Sequence, residues 1–218
     1  MKRLAALGVI IVLLFAGALW FFNSSGTVHP RTNPRGAVLA KMGSMTCYLY
    51  TENITTVIGN STERTFVEGG SFNGSYFFHG RKGDLEWWGL IRGKELVERV
   101  SRNGTVSHVK VNLTESEIKD LLLYDPIKTG LRALGSASSV KASDSWVASN
   151  YTIYVTYRGS GAIMSGTVKV FYGKDYTPER IELKAEISNG REVLQEFSLS
   201  AEIIPSCRLP EWVKGLED

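Results

Sequence analysis

Arg180 to Ser188 alternates without a break. Ile181, Leu183, Ala185 and Ile187 fall on one side, and Arg180, Glu182, Lys184, Glu186 and Ser188 on the other. Period-two alternation marks a β-strand with one buried and one wet face, and it does not suit a helix. Asn189-Gly190 comes next, a pair suited to a tight turn because both residues tolerate positive φ. From Val193 the alternation resumes through Phe197, Leu199, Ala201 and Ile203. The two runs predict a β-hairpin. An antiparallel sheet with one apolar face must then find a cover for that face.

The same pattern recurs along most of the chain. Thr152–Tyr157 and Gly166–Tyr172 predict a second pair across the Gly159–Gly161 turn. Earlier strands are predicted at Thr46–Ile58, Arg64–Phe72, Ser75–Arg81, Leu85–Ile91, Leu96–Arg102 and Val106–Val111. One helical stretch interrupts them. Thr114 to Glu117 has the form of a capping box, with Ile118, Leu121 and Leu122 after it at helical spacing. Asp125-Pro126 offers an N-cap and a first-turn proline, and Ile127, Leu131 and Leu134 share one face of the helix they open. A short helix is also predicted around Gly36–Met42. The fold class expected is α+β: a large curved antiparallel β-sheet with two or three short helices on its concave face, plus one N-terminal transmembrane helix.

That last element rests on Leu4 to Phe22, 19 residues without a charge. As a helix they would span about 28 Å, close to the hydrocarbon thickness of a bilayer. Lys2 and Arg3 precede them, which keeps the N-terminus cytoplasmic and sends the rest outward. Ala16-Gly17-Ala18 also has the form of a signal-peptidase site, but cleavage there would expose Leu-Trp-Phe-Phe as a new N-terminus. The anchor reading is therefore preferred, and both readings export the remainder of the chain. Residues 1–22 are read as a signal-anchor helix, 23–35 as a flexible linker rich in Ser, Gly and Pro, and 36–218 as one exported β domain. The location expected is a single-pass cell-membrane protein with its C-terminal domain extracellular.

Seven of the nine asparagines lie in Asn-X-Ser/Thr sequons, where about 1.5 would arise by chance. Asn53, Asn60, Asn73, Asn103, Asn112 and Asn150 are candidate glycosylation sites, while Asn23 sits close to the bilayer. A turn reading competes at Asn60, Asn73 and Asn103, each next to a glycine. Cys47 and Cys207 are the only cysteines. In an exported protein such a pair is expected as a disulfide, with two buried thiols as the alternative. Gln195 is the only glutamine. Few thermolabile side chains, together with the sequons and the cysteine pair, suggest an archaeal, heat-loving source.

Beyond the first 22 residues, 23 basic side chains meet 22 acidic ones, so no basic surface for nucleic acid is expected. His29, His79 and His108 are far apart, and no zinc spacing, nucleophile elbow or phosphate loop occurs. Asp84 and Glu86 share a strand face but pair with no nucleophile, and read as solvated residues. No catalytic residue, metal or cofactor is expected, and the chain is read as a non-enzyme. Trp87-Trp88 must point to opposite faces of a strand. With Tyr48, Tyr50, Tyr76, Phe77 and Phe78 they supply either plain core packing or an aromatic-lined pocket.

Three local strings sharpen the picture. They are Asp125-Pro126-Ile127 with Leu131 and Leu134, the turn Tyr176-Thr177-Pro178-Glu179-Arg180-Ile181, and the ending from Phe197 through Ile204-Pro205 to Leu209-Pro210. In this order among these strands, over residues 36–213, the chain resembles the bacterial lipoprotein-carrier (LolA-like) half-barrel family and related cell-envelope lipoproteins. The resemblance implies an incomplete barrel that holds an apolar ligand, such as a lipid or polyprenyl chain, beneath helical lids. The candidate lining is Trp87, Ile91, Ile153, Val155, Leu183, Ile187, Phe197 and Leu199. Two features depart from the family: the carriers are soluble shuttles, and a single-membrane archaeon has no outer membrane to receive their cargo. The alternative is a glycosylated cell-envelope interaction module that assists a membrane complex or surface layer through a protein partner.

Overall fold

The computed structural model describes residues 33–216. The expected membrane helix, most of the tether and Asn23 lie outside the described residues. Among the described residues no helix is long and apolar enough to cross a membrane.

The expected α+β class is observed, as a single curved antiparallel sheet of eleven strands with a few short helices. The first six strands form a meander: β1 (Cys47–Ile58), β2 (Ser61–Phe72), β3 (Ser75–Lys82), β4 (Leu85–Arg92), β5 (Glu95–Arg102) and β6 (Thr105–Asn112). Helix α1 (Pro34–Ser44) precedes them, and α2 (Glu115–Leu121), a 3-10 turn (Leu122–Tyr124) and α3 (Pro126–Ser136) come after. A second meander then returns through β7 (Lys141–Ala142), β8 (Trp146–Tyr157), β9 (Ser160–Tyr172), β10 (Pro178–Ser188) and β11 (Val193–Ile204). The strand order is β6-β5-β4-β3-β2-β1-β11-β10-β9-β8-β7. Among the described residues, only the β1–β11 seam therefore joins the two meanders within the sheet. The Cys47–Cys207 disulfide lies at one end of it, beside the Leu49–Ile204 pair.

Two-residue turns set the register. Asn73-Gly74 and Asn103-Gly104 have positive φ at both positions, the geometry that matches strand twist. The turn expected at Gly159–Gly161 is tighter, with Tyr157 opposite Ser160 across Arg158-Gly159. Strand β8 begins six residues before the predicted start, because Val147, Ser149 and Tyr151 already face the core.

Both predicted caps are present. Thr114 and Glu117 form the reciprocal box at α2, and the Asp125 carboxylate accepts from the Lys128 N–H at 2.9 Å to open α3. Each contributes about 1 kcal/mol to its helix. At the other end of α3, Arg35 donates to the carbonyls of Leu134 and Gly135 at 3.2 and 2.9 Å. Ile127, Ala133 and Leu134 press α3 onto the concave face, and Gly130 lets it approach Met42 of α1 and Ile181 of β10. Burying each large apolar side chain in this core contributes about 1.5–3 kcal/mol. Two elements have no counterpart among the predicted ones, strand β7 and a single turn, α4 (Glu211–Lys214), which packs Val213 and Trp212 against Phe77 and Leu90 on the convex face.

Candidate apolar cavity

The helices cover only part of the concave surface. Ile153, Val155, Leu183, Ile187, Phe197 and Leu199 all point to that side and are at most 9% exposed. They belong to the core cluster that also takes in side chains of α1, the 3-10 turn and α3, and none of them borders the cavity described next. The half of the sheet formed by β1 to β5 is treated differently. Between it and the stretch Asp120–Asp125 lies a cavity of about 660 Å³. Trp87 and Ile91 line it, alone among the eight side chains proposed from the sequence. Trp87 and Trp88 do face opposite ways. Trp88 stacks on His79 on the convex side at 4.9 Å, beneath the Arg99 guanidinium. There Glu86 bonds His79 at 2.7 Å while its side chain stays 37% exposed, so it is partnered as well as solvated.

The floor is built from aromatics laid across glycines. In the sheet register Gly69 lies opposite Phe78, Gly80 opposite Trp87, and Gly89 opposite Phe78. A methyl group at Gly80 would sit 2.2 Å from the Trp87 indole, and one at Gly89 would sit 2.2 Å from the Phe78 ring. The missing side chains are thus what lets these rings lie flat along the sheet and leaves room above them. Gly80→Ala should displace the indole and lower stability by about 1–3 kcal/mol in urea denaturation. Gly161→Ala, placed where a methyl meets nothing within 4 Å, should change it by about 0.5 kcal/mol or less. Equal effects at both sites would show that the Trp87–Gly80 contact does not shape the floor.

The wall is polar in a few places. Tyr157 donates to Gln195 at 2.5 Å, and Gln195 donates onward to Tyr124 at 3.0 Å, so the single glutamine ties the 3-10 turn to β8 and β11. Asp120 accepts from the Gly159 N–H at 2.8 Å and fastens α2 to the β8–β9 turn. Asp125 is buried and accepts a hydrogen bond from the Tyr48 hydroxyl at 2.8 Å. Burial pushes its carboxyl above the usual range, and the bonds from Lys128 and Tyr48 counteract part of that.

Glu52 stands apart from these. It shares the apolar phase of β1 with Tyr48, Tyr50 and Ile54, lines the cavity and is 1% exposed. Among the described residues, neither carboxyl oxygen has a hydrogen-bond partner. Desolvation pushes its carboxyl well above the ordinary value, and Asp125 adds to the rise. Glu98, half-buried across from Gly89, is raised by burial as well. No sequence motif singles out Glu52. A charged residue in the apolar phase of a strand is nonetheless a readable signal. Among the described residues, no group of three or more His, Cys, Asp or Glu side chains is placed to hold a metal.

The cavity volume falls within the range of small-molecule sites, and its lining has their usual form of apolar walls with a few convergent polar groups. Along β1 the lining runs from Tyr50 to Ile58, roughly 26 Å at ~3.3 Å per residue, so the space is elongated.

No protein-family model matches the chain, and no curated protein matches it. Among solved structures it is similar to a DUF1329 family protein from Desulfovibrio piger, with 8% identity and a TM-score of 0.37, over 84% of this chain and 95% of that one. It is also similar to a LolA superfamily protein from Nitrosomonas europaea, with 10% identity and a TM-score of 0.36, over 82% of this chain and 96% of that one.

Proposed function

We propose that this chain is a membrane-anchored, extracytoplasmic, non-catalytic protein whose half-barrel holds an apolar ligand such as a lipid or polyprenyl chain. The observation that carries the reading is the cavity of about 660 Å³ between β1–β5 and the Asp120–Asp125 stretch, with Trp87 and Ile91 in its wall. A sheet of this size normally buries its concave face completely, because unfilled space forfeits packing energy. Here the helices and the 3-10 turn pack over one half, and aromatics over glycines line the other. The disulfide supports an oxidising compartment. Asn53, Asn60, Asn73, Asn103, Asn112 and Asn150 are all exposed, which supports their use as glycan acceptors on the outer face.

A second reading, the envelope interaction module, draws on β6. Every residue of that edge strand is exposed, including Val106, Val109 and Val111 at 52%, 40% and 41%. Such an edge offers unpaired backbone groups to a partner strand. Native mass spectrometry of the full chain released from its own membranes separates the readings. A lipid-sized mass that stays with the monomer and is lost on unfolding is the expected result. A ligand-free chain that carries a constant protein partner would favour the second reading.

A further inference from the structure

We infer that the cavity selects amphiphiles whose head is an amine, and that Glu52 is the group that receives it. This rests on the apolar-ligand reading and adds the chemistry of the head. A buried carboxyl with no partner costs stability, since both oxygens have left water and gained nothing in exchange. Glu52 is in that position, and it faces the cavity. Among the described residues its surroundings offer no internal solution. Across the sheet it meets Val67 on β2 and Ala201 on β11, and its neighbours along β1 on the same face are Tyr50 and Ile54. The charged group that acts on it is Asp125, a second carboxyl, whose own bonds are taken by Tyr48 and Lys128.

Acidic groups outnumber basic ones in the rest of the lining. Glu63, Glu98, Asp120 and Asp125 also border the cavity, against Lys82 and Arg158. Lys82 is held by Glu63 at 2.6 Å, and Arg158 lies over the Tyr157 ring. A carboxylate or phosphate head would therefore enter against an excess of acid. Burial favours the protonated acid at Glu52, so an entering ammonium displaces that proton to solvent and then supplies the donors that the carboxylate lacks. Pairing buried charges usually returns little, because both partners must be desolvated. In this cavity folding has already stripped water from the Glu52 carboxyl, so what remains on the protein's side is the cost of ionising it there, which the incoming cation offsets. The elongated apolar space beside Glu52 then accommodates the chain of the same molecule.

The test uses the full chain held in a non-ionic amphipol and titrated with oleylamine, oleyl alcohol and oleate, which share one hydrocarbon chain, and with butylamine, which lacks it. Oleylamine should bind about tenfold or more tighter than oleyl alcohol, and Glu52→Gln should abolish that preference while oleyl alcohol still binds. Butylamine should bind far more weakly than oleylamine. Equal affinity for amine and alcohol, a preference that survives in Glu52→Gln, or tighter binding of oleate would each overturn the assignment and leave the apolar cavity intact, whereas butylamine matching oleylamine would overturn the assignment and count against the cavity reading too. Failure of every long-chain probe to bind would instead remove the cavity reading itself.

Discussion

Replacing Cys47 and Cys207 together by alanine should lower the stability of the folded domain by about 2–5 kcal/mol. The reason lies in the topology. Each meander is stabilised by pairings between strands adjacent in sequence, whereas β1 and β11 must find one another across nearly the whole domain. The disulfide spans 160 residues at the end of that seam, with its two Cα atoms 4.9 Å apart. Tying the ends of so long a loop removes chain entropy from the unfolded state, worth about 5 kcal/mol in the simplest model. The loss should appear as a lower urea midpoint, and reduction of the wild-type chain should reproduce it. Refolding should slow as well, since the non-local pairing would have to close its loop unaided. A double variant as stable as the oxidised protein would mean that the seam is held by its strand pairing alone.

The strands are legible in the sequence because one physical rule, the alternation of side chains across a pleated ribbon, operates locally. Ile181 to Ile187 and Phe197 to Ile203 obey it so regularly that face and pairing can be assigned from the residues alone. Where polar side chains enter the buried phase the signal fades. Ser149 is 9% exposed and bonds the Ser139 carbonyl, and the start of β8 around it does not show in the pattern. Strand β7 and helix α4, of two and four residues, are too short to show any period. The lining of the cavity is only partly legible, for a different reason. Alternation states which face of the sheet a residue joins, but not whether a helix will cover it. Ile153 and Trp87 both face the concave side, yet α3 packs over the first region and leaves the second open. That difference depends on where α2 and α3 cross back, which Asp120, Asp125 and Arg35 determine through long-range hydrogen bonds.

Glu52→Gln should stabilise the domain at neutral pH, by about 1–3 kcal/mol, and should flatten the dependence of stability on pH. A carboxyl whose folded pKa is raised binds its proton more tightly in the native state than in the unfolded one. Its favourable contribution is complete below the unfolded value and is lost as pH rises from there through the folded value. Glu52, Asp125 and Glu98 are all shifted in this direction, so together they make stability fall as pH rises above about 4.5. Glu117, Asp175 and Glu211 are shifted the other way by their hydrogen bonds, and their contributions are lost as pH falls below their ordinary range. The two sets therefore act in separate windows. Urea denaturation of wild type and Glu52→Gln between about pH 5 and pH 8 isolates the first. The gap between the curves should widen with pH, because the glutamine amide carries no charge to desolvate. Parallel curves would mean that Glu52 reaches water or a partner in the folded state, and the case for an amine receptor would fall with them. A widening gap would show that the fold holds an acid at a cost in stability, at a concave position where an incoming cation could remove that cost.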